Sequence, residues 1–242
     1  MKLKINGAIV SNDEKWIYEL LGMEATSPKD IIDLLPESNE DIEVLINSGG
    51  GNLNAGSEIY TALKDYGGGV SVKIVALAAS AASLIAMAGD IVEMSPVSRL
   101  MIHNPAMIAQ GDNRDFRKSA EILDKAGITS ADAYALKSGK KREEILEMMN
   151  DETWFTPDEA IEHGFADSKM FEEEAPTLVA SNETILSKEA INNITAILNK
   201  TPEVKIDVDE IANKVIEKLN ITKEESKIDD DKESKINNRF FF

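Results

Sequence analysis

Cysteine is absent from this sequence. Its absence excludes disulfides, cysteine nucleophiles, zinc–thiolate sites and iron–sulfur clusters. Histidine is nearly absent, with His103 and His163 as the only 2. A three-histidine metal site is therefore impossible, and any imidazole base has to be one of that pair. Bases are in deficit, 26 against 44 acids, for a formal charge of −18 over 242 residues. Such a surface repels phosphate backbones and anionic lipid, so neither nucleic acid nor a membrane is an expected partner. Long apolar runs are missing too. The longest, Ile74 to Gly89, is rich in alanine and interrupted by Ser80 and Ser83. It falls short of the roughly 18 residues a membrane span needs. The N-terminal MKLKINGAIV alternates like a strand and lacks the layout of a signal peptide, so the expected location is the cytoplasm.

What is present is an ordinary apolar share of 43%, enough for a real core. Residues 1–170 read as a globular domain. Residues 171–242 read as an acidic extension without glycine, and with no aromatic between Phe171 and Phe240. Two stretches of that extension have helical periodicity, Ile191, Ile194 and Leu198, then Val208, Ile211, Val215 and Leu219. Lys223–Asn238 is charged and expected to be disordered, and the chain ends on Arg239-Phe240-Phe241-Phe242.

In the body, strands and helices alternate. Strands are expected over Lys2–Val10, Asp41–Asn47, Val70–Ala76, Ile91–Met94 and Leu100–Ile102. Helices are expected over Pro28–Leu35, Ala55–Asp65, Ala78–Ala88, Asp115–Lys137, Arg142–Met149 and Pro157–His163. That order implies an α/β fold with helices around a largely parallel sheet.

Four segments could carry chemistry. Ser48-Gly49-Gly50-Gly51-Asn52 follows a strand and precedes a helix, and reads as a glycine turn. Its glycines let backbone N–H groups approach a bound group, as in an oxyanion hole or a shelf for a peptide. A phosphate cradle is less suited, because no Lys-Ser/Thr pair follows the glycines. A plain turn is the commonest use of such a segment. Ala78-Ala79-Ser80-Ala81-Ala82-Ser83 stands at a strand-to-helix junction, where a serine gains from the adjacent N–H. Tight helix packing explains such a run equally well, and pattern alone does not separate Ser80 from Ser83. Leu100-Met101-Ile102-His103-Asn104-Pro105 delivers a histidine at the end of an apolar strand, as a general base or as a half-buried satisfied ring. His163 precedes the capping Gly164, where a cation complements a helix C-terminus. Finally, Gly164-Phe165-Ala166-Asp167 places an acid that serves a turn or orients an imidazole.

In their order, INSGGG, AASAAS with AMAGD, SRLMIHNP and WFTPDEAIEHGFAD resemble the proteolytic subunit of Clp protease, over residues 1–170. The resemblance is closest to the phage and prophage branch of head maturation proteases. It implies a ClpP/crotonase-like α/β fold of repeated strand–helix units with a protruding handle helix, here Asp115–Lys137. It further implies a Ser-His-Asp triad with Ser80 as nucleophile, His103 as base and Asp167 as orienting acid. Ser80, not Ser83, has the family's spacing to Ala88-Gly89. The N–H groups of Gly51 and Ala81 match the oxyanion donors, and Gly50 shapes the turn. No metal or organic cofactor is required. The implied partners are further copies of the chain in stacked rings and a peptide or protein substrate, with phage capsid or scaffold proteins among the candidates.

The chain departs from the family pattern at Gly49, where proline is common, and at Ala81-Ala82, where Met-Gly is common. It also begins at its first strand, without the segment that cellular members use to dock an unfoldase ATPase, so that partner is not firmly implied. Two other functions compete. One is a crotonase-type acyl-CoA hydratase or isomerase, which shares the fold and the glycine oxyanion turn. The other is a catalytically inactive assembly protein.

Overall fold

The structure, a computed structural model, describes residues 1–172, which fall within one compact unit, Met1–Ala175. The helical periodicities, the charged stretch and the terminal aromatics expected beyond Glu172 lie outside the described residues.

Among the described residues, eight strands form one sheet: β1 (Lys2–Ile9), β2 (Ala25–Thr26), β3 (Ile42–Gly51), β4 (Val70–Ala79), β5 (Ile91–Met94), β6 (Arg99–Ile102), β7 (Thr153–Phe155) and β8 (Ser168–Lys169). The helices are α1 (Lys15–Leu20), α2 (Pro28–Ile32), α3 (Leu53–Asp65), α4 (Ala81–Ala86), α5 (Asn113–Ser138), α6 (Arg142–Asn150) and α7 (Pro157–Glu162). The main path runs β2-β1-β3-β4-β5-β8, all parallel. Strand β6 continues beside the end of β4, parallel to it, and β7 pairs with β6 antiparallel.

The α/β architecture expected from alternation is therefore present, and its cause is visible in the burial pattern. Along β3, Ile42, Val44 and Ile46 face inward at alternate positions, while Glu43, Leu45 and Asn47 do not. Ile59 and Leu63 on α3 and all six residues of α4 close over that face. Each fully buried aliphatic side chain contributes roughly 1.5–3 kcal/mol relative to exposure. The other face of the central strands carries a charge ladder. Glu43 pairs with Lys2 at 2.7 Å and with Lys73 at 2.6 Å.

Two of the boundaries that differ from expectation lie at the site. The glycines after Asn47 do not form a separate turn. Strand β3 continues through them, with Ala8 opposite Gly50 and Ile9 opposite Gly51, after register shifts that follow Asn6 and Ile46. Asn52 then starts α3, its Oδ1 accepting the Ala55 N–H at 3.1 Å. The small-residue helix begins at Ala81 rather than Ala78, because β4 runs on to Ala79 and Ser80 has φ 57° and ψ −126°. A residue in that conformation cannot join a right-handed helix.

Candidate active site

Ser80 occupies the one-residue corner between β4 and α4. Positive φ at a non-glycine residue is strained, and it persists only where neighbours over-determine it. Here they do. The Ser80 N–H donates to the Met101 carbonyl at 3.1 Å, and the Ser80 carbonyl accepts from Leu84 N–H at 3.1 Å. The corner turns the serine hydroxyl away from the core, and Ser80 is half-buried.

His103 arrives from the neighbouring strand. Ala79 of β4 stands opposite Met101 of β6, and Ser80, one residue on, and His103, two residues on, meet just past the end of that pairing. The Ser80 Oγ and His103 Nε2 are 2.8 Å apart. This is the distance of a hydroxyl hydrogen bond. Two contacts hold the segment after the ring. The Asn104 N–H donates to the Met149 carbonyl at 3.2 Å, and Asn104 Nδ2 donates to Asn150 Oδ1 at 2.6 Å.

The glycine segment lies directly against this corner. Gly50, at φ 90°, faces the α4 side of the sheet. A Cβ there would stand 2.6 Å from the Ala79 carbonyl oxygen, 2.8 Å from the Ser80 Cβ and 2.9 Å from the Ala81 nitrogen. The Gly50 N–H is already spent on Ser48 Oγ at 3.0 Å, and that hydroxyl donates to the Gly7 carbonyl at 2.6 Å. Gly50 thus gives close approach rather than a donor. Gly51 and Ala81 border the same cavity as Ser80 and His103. The cavity measures about 500 Å³, with apolar walls from Leu84, Met107, Ile122 and Leu123.

Ser83 is fully buried and points elsewhere. Its hydroxyl lies 2.7 Å from the Ser80 carbonyl, 2.7 Å from the Met101 carbonyl and 2.8 Å from the Tyr134 hydroxyl. Burial pushes the Tyr134 phenol well above its ordinary range, partly opposed by its bond to Ser83, so it stays protonated and able to donate. His163 caps α7 and packs in an aromatic cluster, stacked on Phe165 at 6.4 Å and tilted against Phe155 at 5.4 Å. Neither side chain shares the hydrogen bond between Ser80 and His103.

The hydrogen bonds shown for Asp167 join it to Val92 and Lys137 rather than to His103. Its Oδ2 accepts from the Val92 N–H at 2.7 Å and from Lys137 Nζ at 2.8 Å, and its own N–H donates to the Val92 carbonyl at 2.8 Å. It registers the chain beside β5 and ties it to the end of α5. Among the described residues, no carboxylate forms an ion pair with the His103 ring. Ile102 of β6 stands opposite Thr153 of β7, and Glu152 immediately precedes that pair, its Oε1 accepting from Trp154 Nε1 at 3.3 Å. Glu152 has φ 48°, one of four positive-φ non-glycine residues among the described residues, and is exposed. The readable signal was the β-prone Thr-Trp-Phe triplet, which pairs with Leu-Met-Ile and fixes that register.

Among the described residues, no group of three or more histidine, aspartate and glutamate side chains is arranged to hold a metal ion, and no helix is long and apolar enough to cross a membrane.

Comparison with known proteins matches residues 14–173 to the family model described as Clp protease. The chain is 29% identical over 133 residues to "ATP-dependent Clp protease proteolytic subunit 2" of Tropheryma whipplei (strain Twist), covering 54% of this chain and 74% of that protein. It is 32% identical over 136 residues to "ATP-dependent Clp protease proteolytic subunit" of Ligilactobacillus salivarius (strain UCC118), covering 55% of this chain and 69% of that protein.

Proposed function

This chain belongs to the Clp protease family of serine-type peptidases, and on that footing we propose that Ser80 and His103 are its nucleophile and base in peptide-bond hydrolysis. The observation that carries this is the 2.8 Å hydrogen bond between the Ser80 hydroxyl and His103 Nε2 on a strained corner.

The chemistry follows from proton accounting. For Nε2 to accept the Ser80 proton, the ring must carry its own proton on Nδ1. That N–H needs an acceptor to hold the tautomer and to stabilise the imidazolium once it forms. Glu152, which immediately precedes the Thr153–Ile102 pair and whose Oε1 accepts from Trp154 Nε1, is the acid put forward for this role in place of Asp167. As the Ser80 oxygen attacks a peptide carbonyl, His103 receives its proton. The carbonyl oxygen becomes an oxyanion, held by the N–H groups of Gly51 and Ala81. His103 then gives the proton to the leaving amine. Water attacks the resulting ester with His103 again as base, releasing the acid and restoring the serine.

The substrate is an extended peptide. The apolar wall of the cavity favours a large hydrophobic side chain beside the scissile bond. Proteins of this family form oligomeric rings and act on peptides. In this chain the exposed apolar residues of α5 outside the cavity, Phe116, Ile128 and Leu136, supply surface for contact with further copies. Processing of phage capsid or scaffold proteins is a narrower form of the reading, and it rests on motif resemblance alone. An acyl-CoA hydratase or isomerase would have no use for a serine hydroxyl bonded to an imidazole.

The test is labelling by a fluorophosphonate probe together with cleavage of a fluorogenic peptide. Wild-type protein should be labelled and active, and Ser80→Ala neither. An assembled, folded wild-type protein that takes no label defeats the proposal.

A further inference from the structure

Between the nucleophile corner and α5 lies a buried hydroxyl pair that the proposed reaction does not consume. Ser83 is 0% exposed and Tyr134 is 2% exposed. The Ser83 Oγ lies within hydrogen-bond distance of two main-chain carbonyls, that of Ser80 and that of Met101, at 2.7 Å each. The first belongs to the nucleophile residue itself. The second belongs to the strand that delivers His103 two residues later, and it already accepts the Ser80 N–H.

A hydroxyl has one proton to donate and two lone pairs to receive with. Ser83 can therefore satisfy one of the two carbonyls at a time. Tyr134 Oη lies 2.8 Å away, where either hydroxyl can donate to the other, and 3.4 Å from the Ser80 carbonyl, to which it can donate instead. The phenol reaches the pair from α5, whose inward face here comprises Gly127, Ser130, Ala131 and Tyr134. The pair thus joins three segments: the nucleophile corner, the base strand and α5.

Resting on the peptidase reading above, we infer that Ser83 and Tyr134 are positioning residues, which hold the strained Ser80 backbone and the Met101–His103 segment in the relative placement that acylation needs. Neither side chain reaches the reacting atoms. They act through two carbonyls on either side of the hydrogen bond between Ser80 and His103. Without the pair, one or both carbonyls would lose a donor. The corner would then relax from φ 57° toward an ordinary conformation and draw the hydroxyl away from the ring.

The experiment uses the full chain with a fluorophosphonate probe, reading both the acylation rate constant and the final fraction of chains labelled. Tyr134→Phe removes one oxygen and keeps the ring, and Ser83→Ala is the second variant. The expected result is a roughly tenfold slower acylation per site in each, an unchanged final labelled fraction, an unchanged KM for a peptide, and a double variant no slower than the slower single one. A purely structural role predicts the reverse, a lower labelled fraction with an unchanged rate per site, and that outcome overturns the inference. So do rates within twofold of wild type, or losses that multiply in the double variant. If wild-type protein is not labelled at Ser80 at all, the peptidase reading falls and takes this inference with it. Wild-type labelling with unaffected variants overturns only the inference.

Discussion

Asp167 and Lys137 are bound to each other, with Oδ2 and Nζ 2.8 Å apart and the lysine end also 3.3 Å from the Gly89 carbonyl. The pair fastens the C-terminal end of α5 to the sheet. The acid that the family resemblance matches to the orienting role through the Gly164–Asp167 motif is bonded here to Lys137 and Val92, and a structural tie can be told from a catalytic acid by measurement.

Asp167→Ala should lower the melting temperature by a few degrees, roughly 2–4 °C for each kcal/mol lost. It should leave the rate of serine labelling per site unchanged. Glu152→Gln should do the opposite, with stability near wild type and kcat reduced by roughly 10²- to 10⁴-fold. Thermal unfolding and peptide cleavage, run on both variants, decide the matter. Full activity in Glu152→Gln together with a catalytic loss in Asp167→Ala would return the role to Asp167.

His103→Ala should fold normally and lose turnover by on the order of a thousandfold or more, because the Ser80 proton then has no acceptor. Activity that survives this change but disappears in His163→Ala would identify the wrong ring as the base. Peptide hydrolysis by the two variants is a sufficient measurement.

Glycine substitutions should sort by the space each position has. Gly51→Ala would set a methyl 2.2 Å from the Ile9 carbonyl oxygen and should separate β1 from β3. Gly50→Ala meets Ser80 and should weaken folding and labelling together. At Gly22, with φ 65°, a methyl meets nothing within 4 Å, so Gly22→Ala should cost only the backbone term of about 1–2 kcal/mol. Denaturant midpoints of the three variants give the ranking.

Acid should act on the start of α2. Burial raises the Asp30 pKa, but the Lys15 ammonium, 2.8 Å away, and the N–H and hydroxyl of Ser27 outweigh it and leave the carboxyl below its ordinary value. A folded-state value below the unfolded one stabilises the protein at pH above the unfolded pKa of about 3.9, and that stability is lost as pH falls through the folded value. Asp30→Asn should therefore unfold at a lower temperature than wild type at pH 7. The gap should close as the pH is brought below 4. A gap constant from pH 7 to pH 3 would contradict the assignment.

Much of the fold could be read because its signals are local. Alternation in Ile42–Ile46 and Val70–Ile74 marks strands buried on one face, and the small residues of Ala81–Ala86 mark a helix enclosed on all sides. Ser80 and His103 were legible as strand-end residues, and the structure brings them within 2.8 Å. The elements that escaped are short or distant in effect. The helix Lys15–Leu20 buries none of its residues and so has no clear apolar stripe. The strand Thr153–Phe155 has 3 residues, too few for a period. Its pairing with Leu100–Ile102 spans about fifty positions of chain, and that register is what brings the segment beginning at Glu152 beside the strand that ends before His103. Asp167 follows a helix and a glycine, a pattern that fits an orienting acid as well as a tie. Only the position of Lys137 separates the two.

The main-chain twist at position 80 also limits which side chain could ever serve there. A left-handed residue tolerates an unbranched Cβ far better than a branched one. Threonine, equally capable of offering a hydroxyl, would crowd its extra methyl against its own peptide groups, whereas cysteine would fit the same corner. Backbone shape thus narrows the choice of attacking atom before any question of reactivity arises.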